Sequence, residues 1–241
     1  MTDPAEMPPA PPPERGTFSR LAGLVAAPGE TMRGIAEKPD WIVPLIIIVL
    51  LSVGLNLVLS PRIDFETQMR EQFSERGMNE QQIDEAMERV AGFQKFSAWF
   101  ALVFSIVMLV AVAALFLLVS KVFGGEGTYK QFFSVTEYAW MPQMLKALLL
   151  TLLVWRAGSV DAVSMQTLLK SNLGFLVNPA EQPALFALLS SVDVFNFATI
   201  ALMAIGYGHA SRIGKGKMAI AIVIFYAVWV AIRAALATLQ G

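Results

Sequence analysis

The feature that most constrains the fold is a set of long, almost uninterrupted apolar segments. The most hydrophobic is FSAWFALVFSIVMLVAVAALFLLVSKVF at 96–123, and it exceeds the roughly 20 residues that a helix needs to cross a bilayer. Similar segments lie at 41–60, 134–154, 184–207 and 218–239. Because only helices with all backbone groups paired internally cross lipid as single segments, we predict an all-α, polytopic membrane domain at 41–241 with five transmembrane helices.

The composition supports this class and excludes several kinds of chemistry. Charged residues make up 15% of the chain, against about a quarter in a typical soluble domain, and the net charge of −1 gives no field that would attract nucleic acid. The chain has no cysteine and a single histidine, His209, which excludes thiolate chemistry and multi-histidine metal sites. The His-Glu-x-x-His and Gly-x-Ser-x-Gly motifs are also absent from the sequence. We therefore predict no enzymatic activity, no cofactor, no metal and no nucleic-acid partner.

Two kinds of segment precede the first span. Residues 1–16, MTDPAEMPPAPPPERG, form a Pro-rich tail that we expect to be disordered. In 17–40, Thr17 is a plausible N-cap and Pro28 restarts a second short helix. The apolar residues that share one face of the first helix are Phe18, Leu21, Leu24 and Val25. These helices are too short to span, so we predict amphipathic helices on the cytoplasmic membrane surface.

The loop at 61–95 has the pattern of a helical hairpin. Gly77 is a natural stop for its first helix. The second begins with Asn79 as N-cap and Gln82 at the position that completes a capping box. Such a hairpin projects from the bilayer and acts either as a structural connector or as a docking surface.

The segment VFGGEGTYKQFFSVTEYAWMP, 122–142, joins the second and third spans. It lacks the spacing of a P-loop, and it has Lys130 where a dinucleotide fingerprint needs a glycine. We instead expect Gly124 and Gly125 to end one helix in the left-handed conformation. Thr128 and Gln131 form a capping box for the next helix, which enters the bilayer bent at Pro142. Glu137, near the start of the third span, is expected to be an interfacial or capped acid rather than a proton carrier.

Basic residues set the predicted orientation. The loop SRIGKGK at 211–217 is the densest in Lys and Arg, and basic loops favour the cytoplasm. The N terminus would then lie inside and the C terminus outside. The hairpin loop, with five basic residues, would lie outside, which counts against this orientation.

The order of these segments resembles the Yip1-domain family of five-span membrane proteins from about Phe18 to the C terminus. The resemblance is specific in 123–142, fairly specific in 192–219 and weak in the outer loops. The residues that carry it include Gly125, Tyr129, Tyr138, Pro142, Asp193 and Phe195. Where family members often have tryptophan in the fourth span, this chain has Phe197 or Ala198.

The resemblance implies a cytoplasmic N terminus and a non-enzymatic role. Eukaryotic relatives act in vesicle traffic and contact Rab-type GTPases. The short tail of this chain instead favours a bacterial inner-membrane relative, for which the family name constrains architecture more than activity.

Ionisable residues within the predicted spans are functional candidates by default. We predict a polar network of Lys146, Asp193 and Arg233, in which Asp193 contacts one of the two cations and Asn56 lies close enough to join. Two alternatives remain: Asp193 is the N-cap of a helix that starts lower down, and Arg233 snorkels to the surface.

Two functions fit these patterns. The first is a membrane interaction or organisation factor of the trafficking type. Its partners would be the lipid bilayer, a protein bound at the cytoplasmic face and, through small-residue runs, a second copy of the chain. The cytoplasmic contact would be made by the turn residues Gly125, Thr128, Tyr129, Gln131, Tyr138 and Pro142. The rival is a small transporter or lipid-handling protein that uses the charged network; a continuous polar cavity reaching Asp193 would favour it.

Overall fold

A computed structural model describes the chain from residue 16 to residue 238, apart from the side chains at 68, 93–95, 97, 98, 101, 162 and 163. The predicted tail at 1–16 therefore lies outside the described residues, except for Gly16. The protein is 82% helical. Its α-helices are α1 (Thr17–Ala26), α2 (Pro28–Glu37), α3 (Ile42–Leu59), α4 (Phe65–Glu75), α5 (Glu80–Val122), α6 (Tyr129–Ala139), α7 (Met141–Ala157), α8 (Ala162–Leu168), α9 (Pro183–Ser191), α10 (Val194–Ser211) and α11 (Lys215–Thr238).

Within the described residues, four helical segments are long and apolar enough to cross a membrane: Ile42–Arg62, Leu102–Val122, Tyr129–Ala157 and Lys215–Thr238. The protein is thus an integral membrane protein. The segment expected as a further span, at 184–207, is interrupted between α9 and α10, because Val192 and Asp193 have non-helical ψ angles of 81° and 133°. The count of five spans stays a prediction.

The second helix of the loop and the second span are one continuous helix, α5, of 43 residues. It begins at the expected capping box, in which the Gln82 amide donates to Asn79 Oδ1 at 2.9 Å and the Asn79 amide donates to Gln82 Oε1 at 3.0 Å. Gly77, with φ of 78°, closes the link from α4. The second helix of the hairpin is therefore a direct continuation of the membrane helix.

Short strands also occur, which the all-α pattern did not predict. Ile63–Asp64 (β1) pairs in parallel with Val160–Asp161 (β2). This pairing ties the chain that leaves α3 to the chain that leaves α7. It fixes the hairpin end of the bundle, by which we mean α4, the first part of α5 and the loop at 158–182.

The opposite end, here called the turn end, contains α1, α2, the link at 123–128 and the start of α11. The centre of the core lies here, where α2 packs against α6 and α10. The fully buried side chains at this end include Met32, Ile35, Phe132, Tyr138, Tyr207 and Met218.

The two N-terminal helices use their apolar faces differently. Met32 and Ile35 of α2 are fully buried against the bundle, so this face packs on protein. The face predicted for α1 is split: Leu24 is buried, whereas Phe18 and Val25 are exposed. Of these two helices, only α1 keeps large apolar side chains exposed.

Candidate functional site

The central polar contact joins α7 to the start of α10. Lys146 Nζ lies 2.7 Å from Asp193 Oδ2, and the Asp193 side chain is fully buried while that of Lys146 is 28% exposed. The Ser171 hydroxyl donates to the same oxygen at 2.8 Å. Asp193 Oδ1 accepts from the amides of Phe195 and Asn196 at 2.7 and 3.3 Å. Asp193 is therefore an N-cap and an ion-pair partner at once, which combines two of the alternatives that its sequence context left open.

The break before α10 is held by the loop that follows α8. The Val194 amide donates to the Ser171 carbonyl at 3.2 Å, and the Leu173 amide donates to the Val192 carbonyl at 3.3 Å. These bonds pair backbone groups that a continuous helix would have paired internally. The loop, the break and α7 thus converge on the Asp193 carboxylate.

A second chain of polar groups, which we did not predict, runs beside this pair. Gln143 Nε2 donates to Asn196 Oδ1 at 3.0 Å, and Asn196 Nδ2 donates to the Tyr226 hydroxyl at 2.8 Å. The Tyr226 hydroxyl donates to the Ser191 carbonyl at 2.6 Å. Polar residues in apolar helices are the signal that marks such contacts. Here they link α7, α10, α11 and the end of α9.

Two residues of the predicted network lie elsewhere. The Arg233 guanidinium stacks over the Trp229 ring at 4.7 Å from its centroid. Asn56 lines a groove between α3 and α5 with Leu57 and Trp99. The structure therefore brings together Lys146 and Asp193 but adds neither Arg233 nor Asn56 to their hydrogen bonds.

The turn residues have structural partners. Gly124 has φ of 78° and ends α5 in the left-handed conformation, as expected. The same expectation for Gly125 is wrong: its φ is not positive, and it is needed because an added Cβ would lie 2.9 Å from the Ser120 carbonyl oxygen and 3.1 Å from that of Ser211. Close approach of two helix ends, rather than backbone handedness, requires this glycine.

The predicted cap of α6 also serves the N-terminal segment. The Thr128 amide donates to Gln131 Oε1 at 2.9 Å, which completes the capping box. Gln131 Nε2 donates to the Ala36 carbonyl at 2.8 Å, so the cap holds the end of α2. Pro142 lies in the first turn of α7, directly after the break at Trp140.

Asp40 joins the N-terminal segment to α6. It accepts from the Tyr138 hydroxyl at 2.9 Å and forms an ion pair with Arg20 at 2.6 Å. Arg20 also donates to the Lys38 carbonyl at 2.9 Å. Tyr138 is fully buried. It therefore stabilises the interior of the turn end and is not exposed for contact with a partner.

Comparison with known proteins identifies this architecture. The family model for the Yip1 domain matches residues 22–237. The chain belongs to the Yip1 family. Neither the curated proteins nor the solved structures contain a significant match to it.

The match to the Yip1 domain covers both clusters described above. It includes the turn at 122–142, the break at Asp193 and all four candidate spans apart from the last residue of α11. The family is one of membrane organisation rather than of known enzymes. The two clusters therefore lie within the Yip1 domain of this chain.

A small part of the turn remains accessible. Val122 is 83% exposed, Phe123 53% and Tyr129 40%. Arg212 and Glu126 form an exposed ion pair at 2.8 Å. We call these five residues the turn edge. These residues supply aromatic, apolar and charged groups, and the Tyr129 hydroxyl donates to the Val110 carbonyl at 3.4 Å, which directs its ring along α5.

Glu137 is placed differently from the expectation. It is fully buried in the protein, and neither carboxyl oxygen has a hydrogen-bond partner in the described part of the chain, so it is not a capped acid. Helical spacing puts it one turn after Phe133, whose ring lies 5.9 Å from that of Trp41. A carboxyl group without a hydrogen-bond partner is costly to bury beside aromatic side chains. The position of Glu137 near the start of a predicted span did not indicate this burial.

Proposed function

We propose that this Yip1-family protein is a non-enzymatic membrane organisation factor that binds a protein partner through the turn edge. The proposed location is a bacterial inner membrane, with the N terminus and the turn edge in the cytoplasm and the C terminus outside. The basic loop at 211–217 supports this orientation, since it lies at the turn end.

The observation that carries this proposal is a rigid and exposed turn edge. The Gly125 amide donates to the Ser120 carbonyl at 2.8 Å, and the Glu126 amide donates to the Ser211 carbonyl at 3.1 Å. The backbone of the link is therefore fixed to the ends of α5 and α10. Preorganised surfaces lose less conformational entropy on binding, and aromatic residues are enriched at the centres of protein interfaces.

The rival proposal, transport through the charged network, has less support. Both Asp193 oxygens accept hydrogen bonds within the protein, and the side chain is fully buried. A solute site would need an accessible acceptor, whereas this carboxylate is already satisfied. The network fits a structural role in holding α7 against the helix break.

Site-specific photocrosslinking in living cells tests the proposal. A photoreactive amino acid replaces Phe123 at the turn edge, directly after α5. A matched control replaces Leu118, which lies five residues earlier on α5 and is 64% exposed. We expect a discrete protein adduct at position 123 and only lipid adducts at position 118.

Charge variants make this test specific. Glu126→Arg places two cations side by side and should abolish the adduct without disturbing the buried contacts. Combining it with Arg212→Glu restores the ion pair between positions 126 and 212 with the two charges exchanged. The adduct should stay absent, because the proposed partner recognises which position carries each charge. Equal protein adducts at both positions, or none at 123 together with solute flux in liposomes, would overturn the proposal.

A further inference from the structure

Four residues of the described chain have buried side-chain oxygens without a hydrogen-bond partner. They are Thr31 of α2, Ser120 near the end of α5, and Ser134 and Glu137 of α6. Three of these carry hydroxyl groups, which stay neutral at physiological pH. Glu137 alone can take a charge, and both of its carboxyl oxygens lack a partner. Its ionisation is therefore the change that this packing tolerates least.

Contacts on either side place Glu137 beneath the link between α2 and α3. Phe133, one helical turn earlier, has its ring 5.9 Å from that of Trp41 in this link. Tyr138, the next residue along α6, donates to Asp40 in the same link at 2.9 Å. Around the axis of α6, Glu137 lies about 40° from Phe133 and about 100° from Tyr138, between the two. The side chain is fully buried, so it reaches water only if the link moves.

No positive charge of the described chain faces Glu137. The elements packed against α6 are α2, α3, α5, α7 and α10, and the charged group near Glu137 is Asp40, from the link. Tyr129, two turns earlier on α6, is a further titratable group nearby. The closest cation of the link, Arg20, is bound to Asp40 at 2.6 Å and to the Lys38 carbonyl at 2.9 Å. An ionised Glu137 would therefore meet a second carboxylate and no partner, which favours the neutral acid while the link is closed.

We propose that Glu137 is the proton-binding site of a pH-sensitive switch. With the proton bound, the carboxyl group is neutral and the link between α2 and α3 closes over it. When the link opens, water reaches the carboxyl group, its O–H bond breaks, and the proton passes to water as the carboxylate forms. Closure requires the proton to return. Because Asp40 of the link also holds Arg20 of α1, the switch couples the docking of the N-terminal helices to pH.

The direction of the pH dependence follows from this proton. The closed state holds one proton that the open state loses, so opening becomes easier as pH rises. A glutamate in water has a pKa of about 4.3. Above that value, the equilibrium constant for opening should rise about tenfold per pH unit for as long as the closed state keeps its proton. The inference goes beyond the proposed function, since it needs no partner at the turn edge.

Hydrogen exchange of the full chain in mild detergent tests the switch. The unaltered protein and Glu137→Gln are compared at the same pH, so the chemical exchange rate of each amide cancels away from position 137. Between pH 5 and pH 7, exchange in residues 28–41 should accelerate about a hundredfold more in the unaltered protein than in Glu137→Gln. Exchange in α11 should show no such difference.

Two further variants make the comparison specific. Glu137→Met also removes the titrating group, and it should lose the same part of the pH dependence as Glu137→Gln. Glu37→Gln removes an exposed acid of α2 within the measured segment. It is the matched control and should behave like the unaltered protein. The thermal unfolding midpoint of each variant confirms that it is folded.

Three results would overturn the inference. The first is an equal pH dependence of exchange in the unaltered protein and in both variants at position 137. The second is a pH-dependent acceleration that is as large in α11 as in residues 28–41, which would indicate loosening of the whole bundle. The third is loss of the pH dependence in Glu37→Gln.

Discussion

The turn end and the hairpin end of this molecule differ in the burial of their aromatic side chains. At the turn end, Tyr138 and Tyr207 are fully buried, and the Phe132 ring stacks on that of Tyr207 at 4.8 Å. At the hairpin end, the aromatic side chains of α5 face outward: Phe96 is 66% exposed and Trp99 69%. The first end packs its aromatic side chains against other parts of the protein, whereas the second leaves those of Phe96 and Trp99 exposed.

This difference explains where the Yip1 resemblance is specific. Packed residues with several partners tolerate few substitutions, and the block at 123–142 contains a run of buried residues in α6, from Phe132 to Ala139. Lipid-facing residues need only be apolar, so the hairpin end carries a weaker signature. Most of the residues that carry the resemblance, among them Gly125, Tyr129 and Tyr138, therefore belong to the packed end.

The largest expected effect is at the ion pair that closes the helix break. Asp193→Ala leaves Lys146 without its partner and α10 without its cap, and should lower the free energy of unfolding by about 3 kcal/mol. Thermal or chemical unfolding in mild detergent measures this loss. A loss no greater than that of an exposed ion pair, such as Arg70 with Asp84, would contradict a structural role.

The double variant Asp193→Asn with Lys146→Met controls for the uncompensated charge. It removes both charges and keeps an oxygen that can cap α10. It should therefore recover most of the stability that Asp193→Ala loses. If it is as unstable as the single variant, packing around the break matters more than the charge pair.

Matched glycine substitutions compare the two ends directly. At Gly206 an added Cβ would lie 2.5 Å from Val135 Cγ1 and 2.7 Å from Met32 Cε, whereas at Gly92 it meets no atom within 4 Å. Gly206→Ala should destabilise through overpacking, and Gly92→Ala should stabilise α5 through helix propensity. We expect the two variants to differ by about 2 kcal/mol in the free energy of unfolding. Equal effects would mean that the ends are packed alike.

A smaller effect is expected at the unpaired acid of the packed end. Glu137→Met keeps the length of the side chain but removes two buried oxygens that lack partners, and should stabilise the protein by about 1 kcal/mol. The midpoint of thermal unfolding in mild detergent should rise. A fall would show that the carboxyl group has a stabilising partner, such as a bound water.

Much of the fold could be predicted from local patterns. Apolar length predicted the four candidate spans found in the described part of the chain. The caps at Asn79 and Thr128 depend on residues only three apart. The break at Asp193 was harder, because the surrounding segment is apolar enough to look continuous. Its non-helical backbone is stabilised by Ser171 and Lys146, which are distant in sequence.

The candidate site was predictable only in part for the same reason. Ionisable residues in apolar segments pointed to Lys146 and Asp193, but spacing alone cannot say that Arg233 stacks on Trp229 instead. The aromatic turn looked like a binding surface, yet Tyr138 is turned inward to Asp40. Long-range packing decides which side chains of a motif are exposed, and a single sequence does not encode that choice locally.

The smallest predicted effect compares the two capping boxes. Thr128→Ala and Asn79→Ala each remove the side-chain acceptor for an amide at the start of a helix, which typically costs about 1 kcal/mol. At the turn end the loss should also spread, because Gln131 holds both the Thr128 amide and the Ala36 carbonyl. Hydrogen exchange should therefore show faster exchange in α2 as well as α6 for Thr128→Ala, and faster exchange only at the start of α5 for Asn79→Ala. Exchange confined to the capped helix in both variants would mean that the N-terminal segment is held by Asp40 and core packing alone.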